Sequence, residues 1–244
     1  MTALLSSEAL KLRTIRLFWI VIAVTVGLSG TIGFAAAKIS ADTGDPLSPA
    51  SVAAAPAQAS WFLGIVLAVV ASAGEFQHRT IRPTLLASPG RSRVLVAKSL
   101  VSSACGATLV ALGALTAVTA AWVTNGVLGE SFAGGGGASW WHVLGTVAVG
   151  AVWSTMAVAI GVLTRSIAIA IAAVLLWRFV GEGVVPVVVG GDEIGQWTPT
   201  SLADSVIGIG SSPVTPGAAA LALAAYTVAV CGLAAILFLK RDPT

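Results

Sequence analysis

Apolar residues come in long uninterrupted blocks, and the polar residues gather between them. The first block, residues 17–37, holds 21 positions without a charge. That is enough to cross about 30 Å of hydrocarbon as a helix rising about 1.5 Å per residue. Comparable blocks follow, and the pattern predicts spans over 17–37, 58–75, 99–123, 139–163, 166–182 and 217–239. The fold class is therefore an all-α polytopic membrane protein with six transmembrane helices, one transmembrane domain over 1–244. Trp122, Trp140, Trp141 and His142 stand at block edges, where amphipathic rings favour the interface. Ala35-Ala36-Ala37 resembles a signal-peptidase site, but the run before it is long for a signal peptide and reads as an uncleaved span. Ser29 with Gly33, and Ala157 with Gly161, form small-xxx-small pairs suited to close helix contact.

Between the blocks the pattern changes period. Leu5, Ala9, Leu12, Ile15 and Trp19 recur at helical spacing, with Glu8 and Arg16 close to the same stripe. An interfacial helix and an ordinary basic flank both fit. Residues 38–59 read as a loop containing Asp42, Asp45, Pro46, Pro49 and Pro56. The run Gly134–Gly137 argues against any regular element there. The segment 183–216 carries Asp192, Glu193 and Asp204 and four prolines. Its Val184–Val189 stretch is apolar but too short to span.

The longest polar interruption is 75–98, with Glu75, His78, Arg79, Arg82, Arg91, Arg93 and Lys98. Thr80 is a candidate helix cap and Pro83 fits only a first turn. Pro89 and Gly90 close the segment. About two turns remain, 81–87, with Ile81, Leu85 and Leu86 as an apolar patch. A helix that short needs a surface to lie on.

The order of residues here is specific. Glu75 is followed by Arg79-Thr80-Ile81-Arg82, then Thr84-Leu85-Leu86-Ala87-Ser88-Pro89, then Arg91-Ser92-Arg93-Val94-Leu95-Val96-Ala97-Lys98. Over about 24 residues this resembles the loop between spans two and three of ABC-2 type permeases, the membrane subunits of ATP-driven exporters. More loosely, Glu182, Pro186, Trp197-Thr198-Pro199 and Ala203 resemble the region between spans five and six. There, short external helices cap the pathway. The first resemblance implies that 81–87 is a cytoplasmic coupling helix seated on a separate ABC ATPase subunit. Glu75, Arg79, Thr80, Ile81, Arg82, Thr84, Leu85, Leu86, Arg91 and Arg93 are then the ATPase-coupling residues. In this reading Glu75 takes hydrogen bonds from Thr80 or nearby amides, and Arg82, Arg91 and Arg93 face carboxylates of the ATPase. ATP and Mg²⁺ would sit on that partner and no cofactor on this chain. A permease homodimer, or a heterodimer with a paralogous permease, in a bacterial plasma membrane is the implied setting.

Charge placement gives an independent orientation. With both termini inside, the inner side holds eleven of the thirteen Lys and Arg residues and three carboxylates, a net +8. The outer side holds Lys38 and Arg178 against seven carboxylates, a net −5. Such asymmetry predicts N and C termini in the cytoplasm. Of all residues 57% are hydrophobic and 9% charged, with mean hydropathy +0.95, far from a soluble domain. The basic residues flank apolar spans without aromatic interleaving, so nucleic acid is not the expected partner. Cys105 and Cys231 lie inside apolar runs and read as packing residues.

Catalytic signatures are lacking. His78 and His142 fall at opposite membrane faces, and neither HExxH, GxSxG nor GxxxxGK[ST] occurs. The chain is thus expected to be a transport subunit rather than an enzyme. Arg178 and Glu182 are the remaining puzzle. A mid-bilayer charge costs about 2.5–3.5 kcal/mol, whereas an exposed i,i+4 pair returns about 0.2–0.5 kcal/mol. They are expected in the outer half, as an interfacial ion pair or as a gate. The apolar faces suit a hydrophobic or amphipathic cargo such as a drug, peptide or lipid. An ion-coupled carrier and a non-transporting anchor or assembly protein are the competing classes.

Overall fold

A computed structural model describes the chain except residues 46, 82, 84–89, 130–131, 133–137, 190–191, 209–212 and 241–244. The described residues form helices and no strand: α1 (Thr2–Thr14), α2 (Arg16–Thr43), α3 (Pro49–Ala54), α4 (Ala57–Gln77), α5 (Arg91–Leu128), α6 (Ala138–Thr164), α7 (Ile167–Leu176), a π-helical turn (Trp177–Gly181), α8 (Glu182–Val189), α9 (Asp192–Gly195), α10 (Pro199–Ile207) and α11 (Pro216–Lys240). Among the described residues, six helical stretches are long and apolar enough to cross a membrane. They begin with α2, α3 (which runs on into α4), α5, α6, α7 and α11 and are numbered here as spans one to six.

Several boundaries differ from the sequence reading, each for a local reason. The stripe ending at Trp19 crosses a break. Ile15 is extended (φ −74°, ψ 126°), and Trp19 belongs to α2, where its indole N–H donates to the Arg13 carbonyl at 3.1 Å. Much of the expected 38–59 loop is helical. Span one continues to Thr43 and stops at Gly44 (φ 75°), and α3 follows. Ser48 caps α3, accepting from the Ser51 amide at 3.1 Å, with Pro49 in the first turn. Span three is a 38-residue helix. It projects past both predicted ends because Arg91, Ser92 and Arg93 begin the helix before the apolar run does. The fifth helical run passes its expected end at 182 and continues through Val189, with Pro186 inside the last segment.

Close packing follows the small residues. Span one packs most extensively on span three, and span four on spans two and three. A methyl group on Gly33 would overlap the Ala117 carbonyl, and one on Gly113 would lie 2.9 Å from Ser29 Oγ. The Ser29/Gly33 pair is thus the seam between spans one and three. Gly161 of the second predicted pair abuts Ser72 of span two. Span two is central, with 67% of its apolar window buried, against 6% for span five and 17% for span six. The thin burial of the last two spans leaves their outer faces to lipid or to another subunit. Cys105 and Cys231 are free and pack at the edges of two apolar clusters.

Candidate functional site

Two groups of charged side chains stand at opposite ends of the bundle. The near end carries α1, the end of α4 and the start of α5. There, Glu8 Oε1 lies 2.6 Å from Lys11 Nζ, and Glu8 Oε2 lies 2.6 Å from Lys98 Nζ. Glu75 Oε1 receives both ammonium groups, Lys11 at 2.9 Å and Lys98 at 3.1 Å. The four charges cancel. Glu8, Glu75 and Lys98 are buried, and Lys11 is the exposed corner. Lys98 Nζ also reaches the Ala71 carbonyl at 3.3 Å. Burial alone pushes the Glu8 carboxyl up, but Lys98 and Lys11 outweigh it and hold the group below the usual glutamate range. Lys11 is likewise pushed down by burial and raised on balance by Glu8 and Glu75. A buried set of this kind persists only when every member is paired.

This arrangement explains Glu8, which sits on the apolar side of α1 beside Leu12. Its partner Lys98 is on another helix 90 positions away. The Glu75 carboxylate takes the two lysines rather than Thr80. The Thr80 hydroxyl donates, at 3.5 Å, to the Glu75 backbone carbonyl instead. Glu75 Oε2 is buried with no hydrogen-bond partner among the described residues.

The rest of the near end is tied by rings and guanidinium groups. Phe76 meets Phe238 edge to face, centroids 6.1 Å apart, and the Arg165 guanidinium carbon lies 5.3 Å from the Phe76 centroid. Arg91 donates to the Leu239 carbonyl at 3.4 Å. Ile81 is buried in the cluster containing Phe76 and Phe238. Arg79 and Arg93 are exposed, and Arg79 takes a left-handed backbone (φ 58°) that turns the chain out of α4. The expected coupling helix 81–87, with Arg82, Thr84, Leu85 and Leu86, falls largely outside the described residues. What is seen is both of its roots, held by one set of charges.

The profile of the ABC-2 family transporter proteins matches residues 4–181. The chain belongs to the ABC-2 family of transporter proteins. It is a multi-pass permease of the ABC-transporter class, and the match takes in the near-end charges, the first four spans and most of the fifth. No curated protein matches the chain.

At the far end of this permease, Arg178 lies in the π-helical turn, 3.4 Å from Glu182 Oε2. The other Glu182 oxygen accepts the Thr200 amide at 3.0 Å, tying span five to the first turn of α10. That amide is one a helix start leaves unsatisfied, so a carboxylate suits it. Gln58 donates to Asp204 Oδ1 at 3.4 Å, tying α4 to α10. Burial raises the Asp204 carboxyl above its ordinary range. Sequence reasoning found the Arg178/Glu182 pair but not Thr200, Gln58 or Asp204. Only the helical start at Pro199 signals that amides are exposed there.

Proposed function

We propose that this permease is the membrane subunit of an ATP-driven exporter, with its 78–90 segment on the cytoplasmic side against a separate ABC ATPase. The observation that carries this reading is the closed set of charges at the near end. Glu75 stands just before the end of α4, and Lys98 stands in the first turns of α5. Glu8 and Lys11 bolt both to α1. A push on the short segment between α4 and α5 therefore acts on spans two and three as one body, and on the interfacial helix with them. Without such a tie a short loop would absorb the displacement in its own backbone. The excess of Lys and Arg at this end supports a cytoplasmic position.

In this account ATP and Mg²⁺ bind the partner, which works with two copies of the permease in a bacterial plasma membrane. The exposed Arg93, together with Arg82, meets carboxylates of the ATPase. The cargo is hydrophobic or amphipathic and leaves the cell. A carrier driven by an ion gradient is the second reading, and its support is the Arg178–Glu182 pair within span five. The test is double charge reversal, Arg82→Glu with Arg93→Glu, in the permease–ATPase complex. ATP-driven efflux and co-assembly should both be lost while the permease alone keeps its thermal stability. Intact efflux and assembly would overturn the docking role, and efflux that follows a proton gradient without ATP would favour the carrier.

A further inference from the structure

Glu8 and Lys11 bolt α1 to the bundle, and its adjacent face, Leu5, Ala9 and Leu12, roofs a groove of about 660 Å³ between α1, span one and span three. The size lies within the roughly 300–1,000 Å³ common for small-ligand sites. Phe18 and Ile22 of span one form one wall, and span three forms the other from Leu100 to Leu112. Leu12 and Leu109 are buried at the base, with Phe18, Ile22 and Cys105 packed against them. From Leu100 to Leu112 the helix advances about 18 Å, at about 1.5 Å per residue. One leaflet of a hydrocarbon core about 30 Å thick is about 15 Å deep. The groove therefore has the length of one acyl chain laid beside the helices.

Its polar end is cationic. Among the described residues Arg13 is the one charged side chain in the lining, and its exposed guanidinium has no ion pair or hydrogen bond among them. The two hydroxyls there are engaged within their own helices. Ser6 Oγ donates to the Thr2 carbonyl at 3.0 Å, and Thr108 Oγ1 donates to the Ala104 carbonyl at 2.7 Å. Glu8, the carboxylate of α1, is held by Lys11 and Lys98, and the next carboxylate along the chain is Asp42. Arg16 stands exposed across the break at Ile15, where α2 starts without a side-chain cap. A helix start of that kind favours an anion through its free amides. The Trp19 indole fixes this corner through the Arg13 carbonyl. An unpaired guanidinium at the mouth of an apolar slot suits a ligand with an anionic head and a long apolar body. Guanidinium and phosphate meet through paired N–H···O bonds.

We propose that this groove holds an anionic phospholipid, its phosphate on Arg13 and one acyl chain along span three. The lipid is a fixed part of the bundle and not the cargo. With the near end inside the cell it comes from the cytoplasmic leaflet, where anionic lipids are abundant. Only that choice of leaflet rests on the orientation proposed above. The test uses nanodiscs open on both faces and no ATPase, so failure of lipid binding and failure of docking are read separately. The probes are phosphatidylglycerol and phosphatidylcholine bearing the same diazirine acyl chain, each at low fraction in phosphatidylcholine nanodiscs holding the permease. Capture after illumination is located by peptide mass spectrometry. Phosphatidylglycerol should be captured about fivefold more than phosphatidylcholine, the worth of one basic residue beside an anionic lipid, with adducts between Phe18 and Ile22 and between Leu100 and Leu112. Arg13→Gln should bring phosphatidylglycerol down to the phosphatidylcholine level. Ala104→Phe narrows the groove with its charge intact and should lower capture severalfold. Arg13 and Ala104 are both exposed, so neither change disturbs the core. The comparison of the two lipids on the unaltered protein stands even if a variant fails to fold. Equal capture of both lipids would show an ordinary annular lipid only and overturn the proposal. Adducts confined to other parts of the chain, or undiminished capture by Arg13→Gln, would do the same. So would efficient disulfide formation between two copies through Cys105 in a Cys231→Ser protein, which would show the groove closed by a second permease.

Discussion

The two charged ends of this permease use the same residue types to opposite effect. At the near end, two carboxylates and two ammonium groups meet at 2.6–3.1 Å, cancel, and are mostly buried. At the far end, one guanidinium faces two carboxylates, and Arg178 is half exposed. The first set is neutral and mostly buried and ties three helices together, whereas the second is more open and has one carboxylate in excess among the described residues. The carboxyl shifts agree: Glu8 lies below its ordinary range because its lysines outweigh burial, and Asp204 lies above because burial is not outweighed.

Breaking the near end should have the largest effect. Lys98→Met leaves Glu8 and Glu75 buried with only Lys11 to share. It should destabilise the protein by about 3–5 kcal/mol, the usual result of removing one partner of a buried pair. Denaturation of the purified protein measures it. Adding Glu8→Leu should recover much of the loss, since Glu75 keeps Lys11. A neutral Lys98→Met would show that the charges do not form a joint.

The pH response of the two ends should differ in sign. Glu8 is depressed, so its contribution is present above the ordinary glutamate pKa of about 4.3 and is lost as pH falls through its lower folded value. Lys11 is raised, so its contribution is present below the ordinary lysine pKa and lost as pH climbs through its higher folded value. Protection of the α1 amides, with the intrinsic pH dependence of exchange divided out, should therefore stay high across neutral pH and fall in acid, and Glu8→Gln should flatten the acid limb. Asp204 is raised, so it favours the folded state at low pH and loses that contribution as pH rises through the ordinary aspartate range toward its folded value.

Smaller effects belong to the far end. Glu182→Ala should cost about 1 kcal/mol. It removes an ion pair screened by solvent and a charge-assisted bond to the Thr200 amide, and it should quicken exchange at the start of α10. Asp204→Asn should change resting stability least, by a few tenths of a kcal/mol toward greater stability at neutral pH, because a partly desolvated charge is removed. A large loss of stability there would make the far end a second joint and erase the contrast.

Six spans were legible because uncharged runs long enough to cross a bilayer have few other uses. The Ser29/Gly33 seam was legible because small residues four apart mark one helix face. Span ends were less so. Arg91 and Arg93 look like loop residues, although they start a helix that protrudes from the apolar zone. Glu8 looked like a flaw in an amphipathic stripe, since the Lys98 that justifies it lies on a different helix. Glu75 stood out, but its local sequence suggested Thr80 as a partner, whereas two distant lysines hold it. The cavity lined by Trp61, Phe62, Trp153, Trp177, Phe179 and Tyr226 was not legible, because its rings come from four separate stretches and each ring alone resembles a lipid-facing or interfacial residue.

The central claim is that the segment rooted at Glu75 and Lys98 touches an ATPase inside the cell. A photo-crosslinking amino acid at His78, exposed at the end of α4, tests it against the same group at Val127, exposed at the far end of α5. The account predicts that position 78 in intact cells captures a soluble chain carrying a GxxxxGK[ST] motif and that position 127 does not. Capture of that chain from position 127, or a cysteine at position 78 labelled by an impermeant reagent from outside, would contradict it.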